Sequence, residues 1–104
     1  MKRITYPAAC VLEALRDGKV YGLEIVEHTA LPSGTVYPIL RRFEEAGLVK
    51  SAWETPAEAF GHRRPQRRNY VLTPDGMRAR LRASERYRQH LKVFGRDPGE
   101  EPAR

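Results

Sequence analysis

Val36, Ile39, Leu40 and Phe43 stand at i, i+3, i+4 and i+7, and a strand-forming run begins as soon as Gly47 closes them off. Four apolar residues at that spacing line one face of an α-helix. Pro32 and Ser33 supply a start, with Ser33 as the expected N-cap, and Gly47 supplies the stop. The residues that follow, Leu48 to Glu54, read as a strand. Whatever the chain folds into must therefore accommodate a short helix that turns directly into a sheet.

The flanking segments narrow the choice. Thr5 and Pro7 open a first helix, Pro7 to Asp17, with Val11, Leu12 and Leu15 at helical spacing and Gly18 at its end. A second helix, from about Val20 to Thr29, carries a stripe of Leu23 and Val26, with Tyr21 and Ala30 beside it. Gly22, near its start, fits a place where two backbones come close, as where helices cross. Downstream, Arg68 to Thr73 reads as a second strand. The intervening TPAEAFGHRRPQR is too rich in Pro, Gly and charge for regular structure, which predicts a hairpin with a long tip. Thr73, Pro74 and Asp75 then start a last helix, in which Met77, Leu81, Ser84, Tyr87, Leu91 and Phe94 recur over about five turns. After Gly95 the tail RDPGEEPAR is polar and Pro-rich, and disorder is expected.

The order is helix, helix, helix, strand, tip, strand, helix. That is mainly α with a small β-hairpin, the winged helix-turn-helix plan, in which the second and third helices form the helix-turn-helix. Residues 1–73 form the expected winged domain, 74–95 a C-terminal dimerisation helix and 96–104 the tail.

At 104 residues the chain has room for one domain and one modest core. Cys10 is the single cysteine, so no intrachain disulfide forms, which fits a reducing, cytoplasmic setting. Ala8-Ala9-Cys10 is similar to a lipoprotein cleavage site, but no apolar signal region precedes it. His28, His62 and His90 lie far apart, and no metal-ligand spacing or phosphate loop is present. Neither an enzyme nor a metal or other cofactor is expected.

YGLEI, LPSGTVYPILRRFEEAGLV and RRNYVLTPDG, together spanning about Tyr21 to Met77, resemble in order and spacing the PadR-type winged-helix transcriptional regulators. The chain departs from that pattern in its long wing tip, FGHRRPQRR, and in the single helix after the wing. The resemblance implies a DNA-binding regulator, most often a repressor. It also implies that Thr35, Tyr37 and Arg41 make backbone-positioning contacts.

The residues themselves favour the same partner. Ser33, Gly34 and Thr35 begin the third helix, where free N–H groups and the helix dipole favour a phosphate. Tyr37, Pro38, Arg41 and Arg42 lie off its apolar face, and the arginines can reach phosphate or guanine. The net charge is +6. Residues 1–32 hold four basic and four acidic residues, and residues 33–55 hold three of each. The excess lies in residues 56–73, where Arg63, Arg64, Arg67 and Arg68 face only Glu58, and in residues 74–104, with eight basic against five acidic. A basic wing suits the sugar–phosphate backbone or a narrow minor groove. The plainer alternatives stay open here: Tyr37 in the core, Arg41 and Arg42 paired with Glu44 and Glu45, and a merely solvated wing. Trp53 is expected as partly buried packing.

The expected function is a homodimeric regulator of double-stranded DNA on a pseudo-palindromic operator, joined through Leu81, Tyr87, Leu91 and Phe94. An unidentified small-molecule effector is left open, and no membrane partner is expected. Two other readings stand beside it: a winged helix used as a protein–protein interaction module, and a binder of structured RNA.

Overall fold

The computed structural model describes residues 3–63 and 65–88. Its elements are α1 (Tyr6–Arg16), α2 (Gly22–Thr29), α3 (Ser33–Glu45), β1 (Val49–Trp53), α4 (Pro56–Gly61), β2 (Arg68–Leu72) and α5 (Pro74–Arg86). This is a winged helix-turn-helix, mainly helical with one two-stranded antiparallel sheet. The expected Leu91, Phe94, His90 and tail lie outside the described residues, as does Arg64.

Local chemistry sets most helix starts. Thr5 Oγ1 accepts from the Ala8 N–H, Thr55 Oγ1 from Glu58 and Thr73 Oγ1 from Gly76. Each satisfies a donor that the first turn leaves unpaired. At α2 the task falls to Glu24, whose Oε1 accepts from the Val20 and Tyr21 N–H groups, both at 3.1 Å. α3 has no side-chain cap: its N-cap is Pro32, and Ser33 is the first helical residue and not the cap.

The core gathers the inward stripes of α1, α2 and α3 with the base of the hairpin. Leu12, Val11, Ile25, Val36, Leu40, Phe43 and Val49 are its largest fully buried side chains. Burying a Leu, Ile or Phe of this kind contributes about 1.5–3 kcal/mol. In α2 the inward residue is Ile25, while Leu23 is exposed. The expected Leu23 stripe is thus rotated. The helix starts at Gly22, two residues later than the pattern suggested, and Val26 is only partly buried. The turn to α3 passes through Ala30 in the left-handed region, φ 60°, and is tied down by Thr29 Oγ1, which donates to Ile25 O at 2.7 Å.

The hairpin pairs Val49 with Leu72, Ser51 with Tyr70 and Trp53 with Arg68. Those six share the face that turns toward α3, because side chains alternate along a strand. The chain before α2 extends the sheet: Tyr70 N–H donates to Val20 O at 2.8 Å, and Tyr21 bridges Asn69. Between the strands the expected irregular tip contains a helix, α4. Thr55 and Glu58 form a reciprocal capping box that outweighs the Pro and Gly nearby.

α5 packs on α1, but not through the face that its apolar spacing suggests. Gly76, Ala79, Arg80 and Ala83 are the buried positions, and Met77 and Leu81 look outward. Gly76 is required there, since a Cβ would stand 3.0 Å from the Leu48 carbonyl carbon and 3.1 Å from Leu72 Cδ2. Arg80 Nη1 donates to Glu13 Oε2 at 2.9 Å, and both side chains are buried. Burial pushes the Glu13 carboxyl above its ordinary value, and the hydrogen bond from Arg80 pulls it partly back. Tyr87 closes the far end: its hydroxyl donates to Ile4 O, and its ring meets Tyr6 edge to face at 5.6 Å. Tyr87, expected at a subunit contact, therefore serves this chain's own α1.

Candidate nucleic-acid interface

α3 buries Val36, Ile39, Leu40 and Phe43, which leaves its opposite face to solvent. Ser33, Gly34, Tyr37, Arg41 and Arg42 are exposed, and Thr35 and Pro38 are partly so. Its N-terminus is open: a Cβ at Gly34 would meet nothing within 4 Å, and Pro32 contributes no side-chain acceptor. Thr35 and Val36 donate to Pro32 O, so the N–H groups of Ser33 and Gly34 remain for an outside partner. A helix start with unpaired N–H groups and small side chains accepts an anion.

Tyr37 lies neither in the core nor free. It is 44% exposed, and its ring lies against α2 where Gly22 leaves room. A Cβ at Gly22 would stand 2.5 Å from Tyr37 Oη and 2.7 Å from Cζ. Gly22, expected where two backbones come close, instead makes room for an aromatic ring. Arg41 and Arg42 form no ion pair among the described residues. Glu44, which the plainer alternative paired with these arginines, is taken by Arg68.

The wing arginines divide into two kinds. Arg63 is exposed, in the left-handed region at φ 55° just beyond α4. Arg67 is built into the structure: its guanidinium lies 3.6 Å from the centroid of Tyr21, its N–H donates to Glu54 Oε1 at 3.0 Å, and Nη2 faces Glu54 Oε2 at 3.5 Å. Glu54 is buried, so Arg67 serves as its counter-ion and fastens the wing to the start of α2. Arg68 donates to Glu44 and Ser51. Arg67 and Arg68 are thus both anchored within the chain, and each side chain stays 40% exposed.

Between α3 and the wing lies an open cleft of about 490 Å³, lined by Tyr37, Arg41, Glu44, Glu45, Arg68 and Tyr70. Burial raises the Tyr70 phenol above its ordinary value, so it keeps its proton at neutral pH and can donate. Trp53, expected to pack, is 62% exposed on the wing face that carries Ser51. Nothing in the spacing of the sequence could have revealed this, because the strand register depends on the length of the tip.

No helix among the described residues is long and apolar enough to cross a membrane. Two cations, two carboxylates and two phenols line this cleft of the winged fold, beside an open helix start. The model of the PadR-like family of transcriptional regulators matches residues 11–82, well over half of the chain, and the chain belongs to that family. Its members are regulators of transcription and not enzymes.

Solved structures agree. A PadR family transcription regulator from Clostridium difficile R20291 superposes with a TM-score of 0.68 at 26% identity, over 86% of this chain and 94% of that one. BpsR of Bordetella bronchiseptica, whose DNA binding is regulated by 6-hydroxynicotinic acid, gives 0.64 at 26% identity over 86% of this chain and 66% of its own. PcaV of Streptomyces coelicolor, a transcriptional regulator solved with its natural ligand, gives 0.69 at 23% identity and shares the fold. The present chain covers 89% of itself in that match but 62% of PcaV. No curated protein matches the sequence.

Proposed function

We propose that the chain is a homodimeric, sequence-specific repressor that binds double-stranded DNA at a pseudo-palindromic operator. The observation that carries this reading is the cleft in which Tyr37 and Arg41 of α3 face Arg68 and Tyr70 of the wing. With α3 in the major groove, the ridge of phosphates beside that groove falls over the cleft, and the wing tip with Arg63 follows the backbone beyond it. Ser33, Gly34 and Thr35 take a phosphate at the helix start. Arg41 and Arg42 contact phosphate or guanine edges, while Arg67 sets the position of the wing.

Dimerisation is supported by the outward face of α5, where Met77 and Leu81 stand one turn apart, Leu81 57% exposed. Two-fold symmetry would place two copies of α3 roughly 34–36 Å apart, one turn of DNA. Two structural neighbours are described with small molecules. For an effector of this chain we assign the open groove of about 600 Å³ beside α3, with Ile4 and Phe43 on its apolar side and Arg3 and Arg42 at its edge.

Selection from a random duplex pool tests the reading. A two-fold symmetric consensus, bound with an affinity that falls steeply with salt, supports it. No enrichment, or a preference for RNA in direct competition, overturns it. Retention of function by an Arg41→Ala, Arg63→Ala double variant would favour an interaction module instead.

A further inference from the structure

Three side chains close a ring across the cleft. Arg68 Nε donates to Ser51 Oγ at 2.9 Å, and Nη2 donates to the two Glu44 oxygens at 3.1 and 3.2 Å. Ser51 Oγ in turn donates to Glu44 Oε2 at 2.7 Å. The ring ties the last turn of α3 to both strands of the wing. The Arg68 guanidinium also stands 5.8 Å from the Trp53 ring centroid and 5.9 Å from that of Tyr70. Its Nη1 donates to no acceptor among the described residues, and the side chain remains 40% exposed.

A carboxylate here is at odds with simple electrostatics. Glu44 lines the same cleft as Arg41 and Arg68, on a surface that would meet phosphates. By charge alone it repels the duplex. Its geometry shows the opposite use: it and Ser51 occupy two of the three guanidinium nitrogens and leave the third for a partner.

We infer that Glu44, acting with Ser51, is a positioning residue that holds Arg68 in the cleft with Nη1 ready for a DNA phosphate. The inference rests on the DNA-binding reading above. Arginine suits the role because its planar fork donates from several fixed nitrogens at once, which a lysine ammonium cannot do. An unfixed arginine must be ordered on binding, and ordering one such side chain weakens an interface by about 3- to 10-fold. Glu44 and Ser51 meet that cost during folding. Both also fix the angle between α3 and the wing, so the two elements reach the duplex in one register.

The test is the affinity of the full chain for its selected duplex, by fluorescence anisotropy, across a double-mutant cycle of Glu44→Ala and Arg68→Ala. Glu44→Ala is expected to weaken binding about 3- to 10-fold although it removes a negative charge from the DNA-facing side. In the Arg68→Ala background the same substitution leaves binding unchanged or tightens it. Arg68→Ala alone lowers the log–log salt slope by about 0.9, the signature of one lost phosphate contact. Ser51→Ala, which deletes only a hydroxyl, provides a milder variant if Glu44→Ala does not fold, and a weakening of about 2- to 3-fold is expected. Tighter binding by Glu44→Ala or Ser51→Ala in both backgrounds overturns the inference and leaves the regulator reading intact. A wild-type chain that enriches no duplex overturns both, and does so before any variant is compared.

Discussion

Gly22→Ala should push Tyr37 out of the cleft. A methyl carbon at position 22 would lie 2.5 Å from Tyr37 Oη and 2.7 Å from Cζ. Carbon atoms in contact normally stand roughly 3.5–4.0 Å apart, so the ring must retreat by about 1 Å. Tyr37 is 44% exposed and can swing outward without disturbing the buried Val36 and Leu40. Overpacking of this kind costs about 1–3 kcal/mol. Replacing glycine in a helix returns up to about 1 kcal/mol, less at a first helical position. The expected net loss of stability is therefore about 0–3 kcal/mol, with a larger proportional loss of duplex affinity because the phenol leaves its place beside Arg41. Urea unfolding and duplex binding, measured in both a wild-type and a Tyr37→Ala background, separate the causes. Without the ring, the three atoms nearest the new methyl are gone, and Gly22→Ala becomes neutral or stabilising by up to about 1 kcal/mol. Equal destabilisation in both backgrounds would refute the claim that this glycine is there to seat Tyr37.

Arg80→Ala should cost about 3–5 kcal/mol at neutral pH by leaving Glu13 buried without its counter-ion, whereas Glu13→Leu with Arg80→Met should come close to wild type; chemical denaturation decides. The pH dependence has a definite sign. Burial raises the Glu13 carboxyl above its ordinary 4.5, so this group's contribution to stability is fullest below that value and is lost as pH rises through the folded one. Wild type should therefore lose stability relative to Glu13→Gln between acid and neutral pH, and a difference that moves the other way in urea titrations would contradict the assignment. Arg63→Ala should leave the melting temperature unchanged and lower the salt slope of duplex binding by about 0.9. Arg67→Ala should instead destabilise the wing, seen as faster amide exchange in β2, because it removes a cation from beside the buried Glu54 and the guanidinium from the Tyr21 ring.

The helices and strands could be read from spacing because each carries its own punctuation. Thr73-Pro74-Asp75 marks the start of α5 through a bond that the sequence alone implies, Thr73 Oγ1 accepting from Gly76. Where spacing misled, tertiary packing had chosen a different face. Met77 and Leu81 share an apolar period, yet α5 buries Ala79 and Ala83 because small residues let it approach α1 closely enough for Arg80 to reach Glu13. Leu23 and Ile25 are equally apolar, and only the true start of α2 decides which faces inward. α4 escaped notice because Pro and Gly outweighed a four-residue capping box, Thr55 to Glu58. The solvent-facing side of α3 was legible, because exposure there follows from one helical period. On the wing it was not: the basic run gives charge without partners, and only the register that pairs Ser51 with Tyr70 reveals that Arg68 meets Glu44.

The central claim is that the exposed start of α3 enters the duplex. Gly34 has open space around it, so Gly34→Cys in a Cys10→Ser background can carry a DNA-cleaving chelate without disturbing the fold. Bound to the selected operator, that conjugate should cut within the major groove at two symmetric positions, one in each half-site, while the same chelate on Arg16→Cys, at the end of α1, should leave the duplex intact. Equal cutting from both positions, or none from Gly34→Cys under conditions where the duplex is bound, would contradict the claim.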